Sequence, residues 1–231
     1  MEYDVVIVGG GPSGLAAAIK FAQLNKENNT NYSICLLEKG SEIGAHILSG
    51  NVFQPNALDE LIPNWKELNA PLNIPVKKDK IFYFLKNIGI PIPAFVMPAM
   101  NNHGNYVISL GNLCRWLGEQ AENLGVEIFP GFPASKLLIE DDKVIGVQTG
   151  DMGISESGEL KPGNEPGINI KAKLTILGEG CRGHLGKQVI NKFNLSDEKD
   201  PQHYGIGFKE VWKLDPKIHQ EGLVIHTNGW P

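Results

Sequence analysis

Tyr3-Asp4-Val5-Val6-Ile7-Val8-Gly9-Gly10-Gly11-Pro12-Ser13-Gly14 reads as a strand running into a glycine turn, and Leu15 to Leu24 continues it at helical spacing. A second strand, Tyr32 to Leu37, closes on Glu38. Each residue type has a physical reason. Gly9 permits a tight turn out of the strand, Gly11 lets the backbone approach a pyrophosphate, and Gly14 lets the helix pack closely on the strand. The N-terminus of that helix then offers unpaired N–H groups and the positive end of its dipole to phosphates. Glu38 can accept hydrogen bonds from an adenosine ribose, although it lies later than the usual ~20 residues downstream. The polar stretch Asn25-Lys26-Glu27-Asn28-Asn29-Thr30-Asn31 explains the delay as a longer surface loop. A lone glycine triad would be a weak signal. Strand, triad, helix, strand and acid in that order predict a dinucleotide-binding βαβ unit.

The chain has 231 residues, 42% of them hydrophobic, enough for one sizeable core. Its net charge of −5 and pI near 5.7 offer no general attraction for nucleic acid, and no nucleic-acid motif is visible, so none is expected as a partner. Cys35, Cys114 and Cys181 are widely spaced, with no CxxC and no metal-like His/Cys pattern. They predict a reducing compartment and no metal centre within this chain. The first strand follows residue 1 at once, leaving no room for a signal peptide, and no apolar run is long enough to span a bilayer. Leu223 to Pro231 reads as a strand entering a turn where the sequence stops, so a C-terminal continuation is expected.

Between these ends, Pro55 to Leu68 has helical spacing, and Asp79 reads as the N-cap of a helix over Lys80 to Ile88, ended by Gly89. The prolines in Ile90-Pro91-Ile92-Pro93-Ala94-Phe95-Val96-Met97-Pro98 forbid a helix there, so 81–98 forms an apolar hook. Leu110 to Leu124 is a helix stopped by Gly125. Strands are expected at Val126 to Phe129, Ala134 to Glu140 and Val144 to Thr149, the last two joined at Asp141-Asp142-Lys143. Polar 153–169 reads as an exposed loop, Lys171 to Leu177 as a buried strand, and Gly205 to Trp212 as a strand of a second sheet.

The strand Lys171 to Leu177 runs into a second glycine turn, Gly178-Glu179-Gly180, followed by a helix as far as Phe193. The first turn does not separate NAD from FAD. A late second turn returning to the same ligand favours FAD, since flavoproteins with two dinucleotide-binding domains use it at the ribityl and inner-phosphate region. A bland helix start at Gly180 is the competing reading.

Four segments, Met100-Asn101-Asn102-His103-Gly104-Asn105-Tyr106, Gly118 to Glu127, Gly178-Glu179-Gly180-Cys181-Arg182-Gly183-His184-Leu185 and Tyr204-Gly205-Ile206-Gly207-Phe208-Lys209-Glu210, resemble the electron transfer flavoprotein–ubiquinone oxidoreductase family, and the similarity runs through the whole chain. The resemblance implies an FAD enzyme at a membrane surface that passes electrons from reduced electron transfer flavoprotein to ubiquinone. It implies an α/β, Rossmann-like FAD-binding domain of the two-dinucleotide-binding flavoprotein type, with a membrane-contacting insertion and the start of a second α+β substrate domain. The corresponding divisions are 1–75 and 101–195 for the FAD domain, 76–100 for the hook and 196–231 for an incomplete quinone domain. Carried over for FAD are Gly9, Gly11, Pro12, Ser13, Gly14 and Glu38, with Lys39, Ser49, Gly50, Gly178 and Gly180. The family's 4Fe-4S cluster and a glycine pair of its quinone pocket lie beyond the end of this chain, so the fragment alone is expected to be inactive. Ser109 stands where the family commonly has an arginine.

For the hook, Lys77, Lys78, Lys80 and Lys86 flank apolar residues. Lysines at anionic headgroups contribute roughly 1 kcal/mol each and a fully buried Phe, Ile or Leu roughly 1.5–3 kcal/mol, so monotopic insertion is energetically reasonable. Ile81, Phe82, Phe84, Leu85, Ile88, Ile90 and Phe95 are the expected membrane contacts. The expected location is peripheral, at the cytoplasmic face of a bacterial inner membrane, or the mitochondrial inner membrane for an organellar chain. No catalytic acid or base is expected, because flavin relays electrons itself. His46, His103 and His184 read as structural, Cys181 as a small packing residue. The competing readings are a soluble FAD-dependent monooxygenase or geranylgeranyl-reductase-like flavoprotein, an NAD-binding dehydrogenase, and a non-catalytic FAD-binding fragment.

Overall fold

The computed structural model describes residues 1–155, 157 and 159–230. In chain order the elements are β1 (Glu2–Val8), α1 (Pro12–Glu27), β2 (Ile34–Glu38), β3 (Asn51–Phe53), α2 (Asn56–Leu61), β4 (Ile74–Pro75), β5 (Lys78–Leu85), β6 (Ile88–Ile92) and β7 (Tyr106–Ile108). There follow α3 (Leu110–Asn123), β8 (Glu127–Pro130), β9 (Ala134–Glu140), β10 (Lys143–Thr149), β11 (Met152–Ile154), β12 (Leu160–Glu165), β13 (Asn169–Leu177), α4 (His184–Lys192) and β14 (Leu223–Trp230). Contacts group the chain into two units, Met1–Ile47 with Cys114–Ile206, and Leu48–Leu113 with Gly207–Pro231.

The first unit is built on a six-stranded sheet in the order β8-β2-β1-β13-β10-β9. Its first four strands run parallel, and β10 and β9 are antiparallel. Residues Val5 to Val8 and Ile34 to Leu37 are buried without alternation, as strands covered on both faces must be. Val6, Val8, Cys35 and Leu37 point into a cluster with Val147, Ile170 and Leu185 of α4. Ile7 lies on the other face, its Cγ2 3.3 Å from where a Cβ on Gly14 of α1 would stand. This is the Rossmann-like βαβ core that the sequence predicts, and the structure sets strand β13 beside β1. The β9–β10 turn also forms as expected, with Asp141 and Asp142 both at positive φ (47° and 56°).

Several expected elements change. Residues 153–169 are not a plain loop: β11 and β12 pair as a two-stranded antiparallel sheet. Residues 205–212 carry no strand, and Ile206, Phe208, Val211 and Trp212 there are exposed. The expected helix over 55–68 ends at Leu61, because Pro63 follows. The next residues form turns that still bury Trp65, whose Nε1 donates to Asp59 Oδ1 at 2.7 Å.

The largest difference is in the second unit. The expected helix over 80–88 is a β-hairpin, β5 and β6, joined through Lys86 (φ 49°) and Asn87. Asp79 is not an N-cap; its two oxygens accept from Asn102 N at 3.0 Å and Asn102 Nδ2 at 2.8 Å. The run Ile81-Phe82-Tyr83-Phe84-Leu85 consists of residues that favour strands, and an apolar run this short does not distinguish the two periodicities. Pairing resolves it: β14, some 140 positions later, runs parallel to β5 from Leu223↔Lys78 to Trp230↔Leu85. That pairing joins Leu223–Trp230 to the unit that holds β5. A separate small sheet, β3-β7-β4, completes this unit.

Candidate dinucleotide site in the first unit

Because β1 and β13 are neighbours, the turns that follow them meet. Gly178 N donates to Val8 O at 2.7 Å and Gly9 N to Leu37 O at 2.8 Å. A Cβ on Gly9, whose φ is +106°, would stand 2.5 Å from Gly178 O. One on Gly14 would stand 1.9 Å from Gly9 O, and one on Gly178 would be 3.1 Å from the Gly14 Cα. These three glycines therefore touch backbone to backbone, and no side chain fits among them.

Gly11 and Gly180 are different. Nothing lies within 4 Å of a Cβ built on either. Both line a cavity of about 680 Å³ whose wall also includes Pro12, Ser13, Glu38 and Lys39. The glycine turns thus divide into residues that pack the fold and residues that leave room for a ligand. Helix α1 begins at this cavity with Gly11 as N-cap, no side-chain cap and no acid in its first turn. Its N-terminal N–H groups and dipole remain available to an anion.

Glu38 is half-buried in the cavity wall, held by Gly10 N to Oε2 at 2.8 Å and Gly40 N to Oε1 at 2.7 Å. Each carboxylate oxygen keeps a second lone pair for a hydroxyl. Gly10 was not among the expected site residues, yet a Cβ there would stand 3.0 Å from Glu38 Oε2 and 2.5 Å from Ile43 Cδ1. The middle member of the Gly9-Gly10-Gly11 run was the available signal. Lys39 is exposed at the cavity, and Arg182, also on its wall, lies over the Tyr204 ring at 5.2 Å.

Helix α4 starts at His184, not at Gly180. Its first turn is capped from a distance: the Glu179 carboxylate accepts from His184 N at 3.0 Å, Leu185 N at 3.1 Å and Gly186 N at 2.9 Å. His184 Nε2 sits 3.2 Å from Ser135 O and 3.1 Å from Gln188 Nε2, a structural contact as expected. Cys181 is exposed, not packed as expected, because the turn carries it outward. Cys35 and Cys114 are buried; burial pushes the Cys35 thiol up to about 12, and burial followed by the Glu38 charge pushes the Cys114 thiol up to about 11.

The remaining expected residues belong to the second unit. Ser49 Oγ donates to Ser109 Oγ at 2.6 Å, and Ser109 in turn accepts from Asn112 N at 3.3 Å, as an N-cap of α3 does. Gly50 has φ +85° and open space at its Cβ position, and its carbonyl accepts from Lys209 Nζ at 3.0 Å. On the hairpin, the pairs Tyr83↔Ile90 and Leu85↔Ile88 share one face and Phe82↔Pro91 and Phe84↔Gly89 the other. Both faces are apolar. Phe82 and Phe84 stack at 6.3 Å, and Leu85, Ile88, Ile90 and Phe95 are exposed, Phe95 to 84%. Ile81 departs from expectation: it shares the strand face of Tyr83 and Leu85 but lies nearer the base of the hairpin, where it is buried, 6% exposed against 52% for Leu85.

Known proteins share both the fold and the sequence. A family model described as an NAD(P)-binding Rossmann-like domain matches residues 7–66, and one described as "ETF-QO, ubiquinone-binding" matches residues 204–231. An electron transfer flavoprotein-ubiquinone oxidoreductase from Pseudomonas aeruginosa is 57% identical over 100% of this chain. Over its whole length the chain is homologous to electron transfer flavoprotein-ubiquinone oxidoreductases. The mitochondrial proteins of that name from Arabidopsis thaliana and Homo sapiens are 50% and 49% identical over 100% of the chain. The chain spans 43%, 36% and 37% of the lengths of these three relatives. Among solved structures, a geranylgeranyl bacteriochlorophyll reductase-like protein from Thermoplasma acidophilum matches with a TM-score of 0.57 at 22% identity, covering 80% of this chain and 41% of that one. The myxobacterial chondrochloren halogenase, a variant of FAD-dependent halogenases, matches with a TM-score of 0.56 at 16% identity, covering 80% of this chain and 39% of that one. These structural likenesses establish the fold.

Proposed function

We propose that this chain is the FAD-binding part of a membrane-surface oxidoreductase that passes electrons from reduced electron transfer flavoprotein to ubiquinone. The observation that carries the reading is the meeting of two glycine turns around one cavity, with the Cβ positions of Gly11 and Gly180 empty. In this reading Gly11, Pro12, Ser13 and the α1 N-terminus hold the pyrophosphate, Glu38 accepts from the adenosine ribose, and Lys39 adds a positive charge at the rim. Gly9, Gly14 and Gly178 act indirectly, by letting the turns approach. Gly180 leaves space for the ligand. FAD, when bound, supplies an isoalloxazine ring that takes and gives electrons one at a time. No residue here is assigned a proton-transfer role, and the iron–sulfur cluster of the reading is assigned to no residue of this chain.

The name of the model matching 204–231 supports ubiquinone as acceptor, and the names of the relatives support electron transfer flavoprotein as donor. For the membrane surface, the support is a hairpin with no polar face, whose exposed Leu85, Ile88 and Ile90 lie near exposed Phe95 in sequence and whose base carries Lys77, Lys78 and Lys80. No helix among the described residues is long and apolar enough to cross a membrane. The location read from this is peripheral, on a bacterial inner membrane or its mitochondrial counterpart. Relatives of both kinds carry the name. The decisive experiment is reconstitution of the purified chain with FAD. Quenched flavin fluorescence and retained visible absorbance after gel filtration support the reading; tight NAD binding with no flavin retained overturns it.

A further inference from the structure

Two helix N-termini border the cavity, and they are in opposite states. Helix α1 begins at Gly11 with no side-chain cap. Helix α4 begins at His184, and Gly183, His184 and Glu179 all line the same cavity. Its first-turn N–H groups are occupied by the Glu179 carboxylate through bonds of 3.0, 3.1 and 2.9 Å. The fit is tight. A Cβ on Gly183 would stand 2.7 Å from Glu179 Oε2, so the chain keeps a glycine where the carboxylate must fold back over the helix end. Glu179 also sits between Gly178, which touches the first turn, and Gly180, which leaves the ligand space.

We propose that Glu179 is a specificity-determining residue of this cavity: by closing the α4 N-terminus with an internal carboxylate, it leaves α1 as the one place where a ligand's phosphates bind. An N-terminal helix end attracts anions, and a carboxylate already bonded there both satisfies the N–H groups and repels a second anion. The stretch beside Gly178 to Gly180 then accepts a neutral, hydroxyl-bearing part of the ligand. A dinucleotide whose phosphates are all at one position fits this cavity; a ligand with a further phosphate at the α4 end is rejected. The proposal rests on the dinucleotide reading given above.

The test counts bound inorganic phosphate by isothermal titration at constant ionic strength, with wild type, Glu179→Gln and Glu179→Ala, each with and without FAD. Wild type is expected to take one phosphate without FAD and none with it. The variants are expected to take two and one, the added site binding at least about tenfold tighter than any phosphate bound by FAD-loaded wild type. Equal stoichiometry and affinity in wild type and variants overturns the proposal. Two phosphate equivalents on wild type alone overturn it as well, which keeps the test decisive if a variant fails to fold; Glu179→Gln keeps the side-chain size but removes the repelling charge and one of the two acceptor oxygens, leaving a neutral amide that an anion displaces. Absence of FAD binding by wild type counts against the dinucleotide reading, while the phosphate count on unloaded protein still decides the role of Glu179.

Discussion

Replacing Gly11 with alanine separates binding from folding at this site. Gly11 has φ −83°, which any L-residue adopts, and no protein atom lies within 4 Å of the added methyl group. The folded state therefore loses nothing, and melting should stay within about 0.5 kcal/mol of wild type, as for substitutions without a contact. The methyl group does enter the space assigned to the pyrophosphate. Forcing a methyl into a filled site costs about 1–3 kcal/mol, a factor of about 5 to 150 in dissociation constant. Gly14→Ala is the opposite case: its methyl would stand 1.9 Å from Gly9 O, a backbone atom in a turn that is itself pinned by Gly178. The helix-propensity gain of alanine over glycine, about 1 kcal/mol, is too small to offset that clash, and net destabilisation of about 1–3 kcal/mol is expected. Flavin fluorescence titration reports the first effect and thermal unfolding the second. A Gly11→Ala chain that binds FAD as tightly as wild type, or a Gly14→Ala chain that melts with it, refutes the division of the glycines into packing and ligand-facing roles.

Three further outcomes are expected. With Cys35 and Cys114 buried and their thiols pushed up to about 12 and about 11, a thiol reagent at mildly alkaline pH should label Cys181 rapidly and the other two only after denaturation; three equally fast thiols would contradict the burial. Asp4 is held down to about 2, first by its hydrogen bond from Lys173 and then by Ser33, so its folded pKa lies below the ordinary carboxylate value near 4. The stability it contributes is present above pH ~4 and is lost as pH falls through about 2, and Asp4→Asn should flatten that part of the acid limb. Chain carrying Phe82→Asp and Phe84→Asp should no longer sediment with anionic liposomes that retain wild type; liposomes that never retain wild type dispose of the membrane assignment.

The βαβ core was legible in the sequence because its signals are local. A strand, a glycine turn and a helix need only near neighbours to form, and the buried runs Val5 to Val8 and Ile34 to Leu37 announce strands covered on both faces. Glu38 was legible as an acid at the end of β2, but its bonds to Gly10 and Gly40 were not, since only the folded turn brings those N–H groups to it. The hook was read with the right composition and the wrong geometry. Its apolar run is too short to show a period, and what makes it a strand is β14, which no local pattern near residue 80 reports. The two glycine turns were each visible in the sequence, about 170 positions apart. Only the tertiary structure decided that they touch, because hydrogen bonding of β1 to β13 is non-local and glycine alone allows the backbones at Gly9, Gly14 and Gly178 to close the gap.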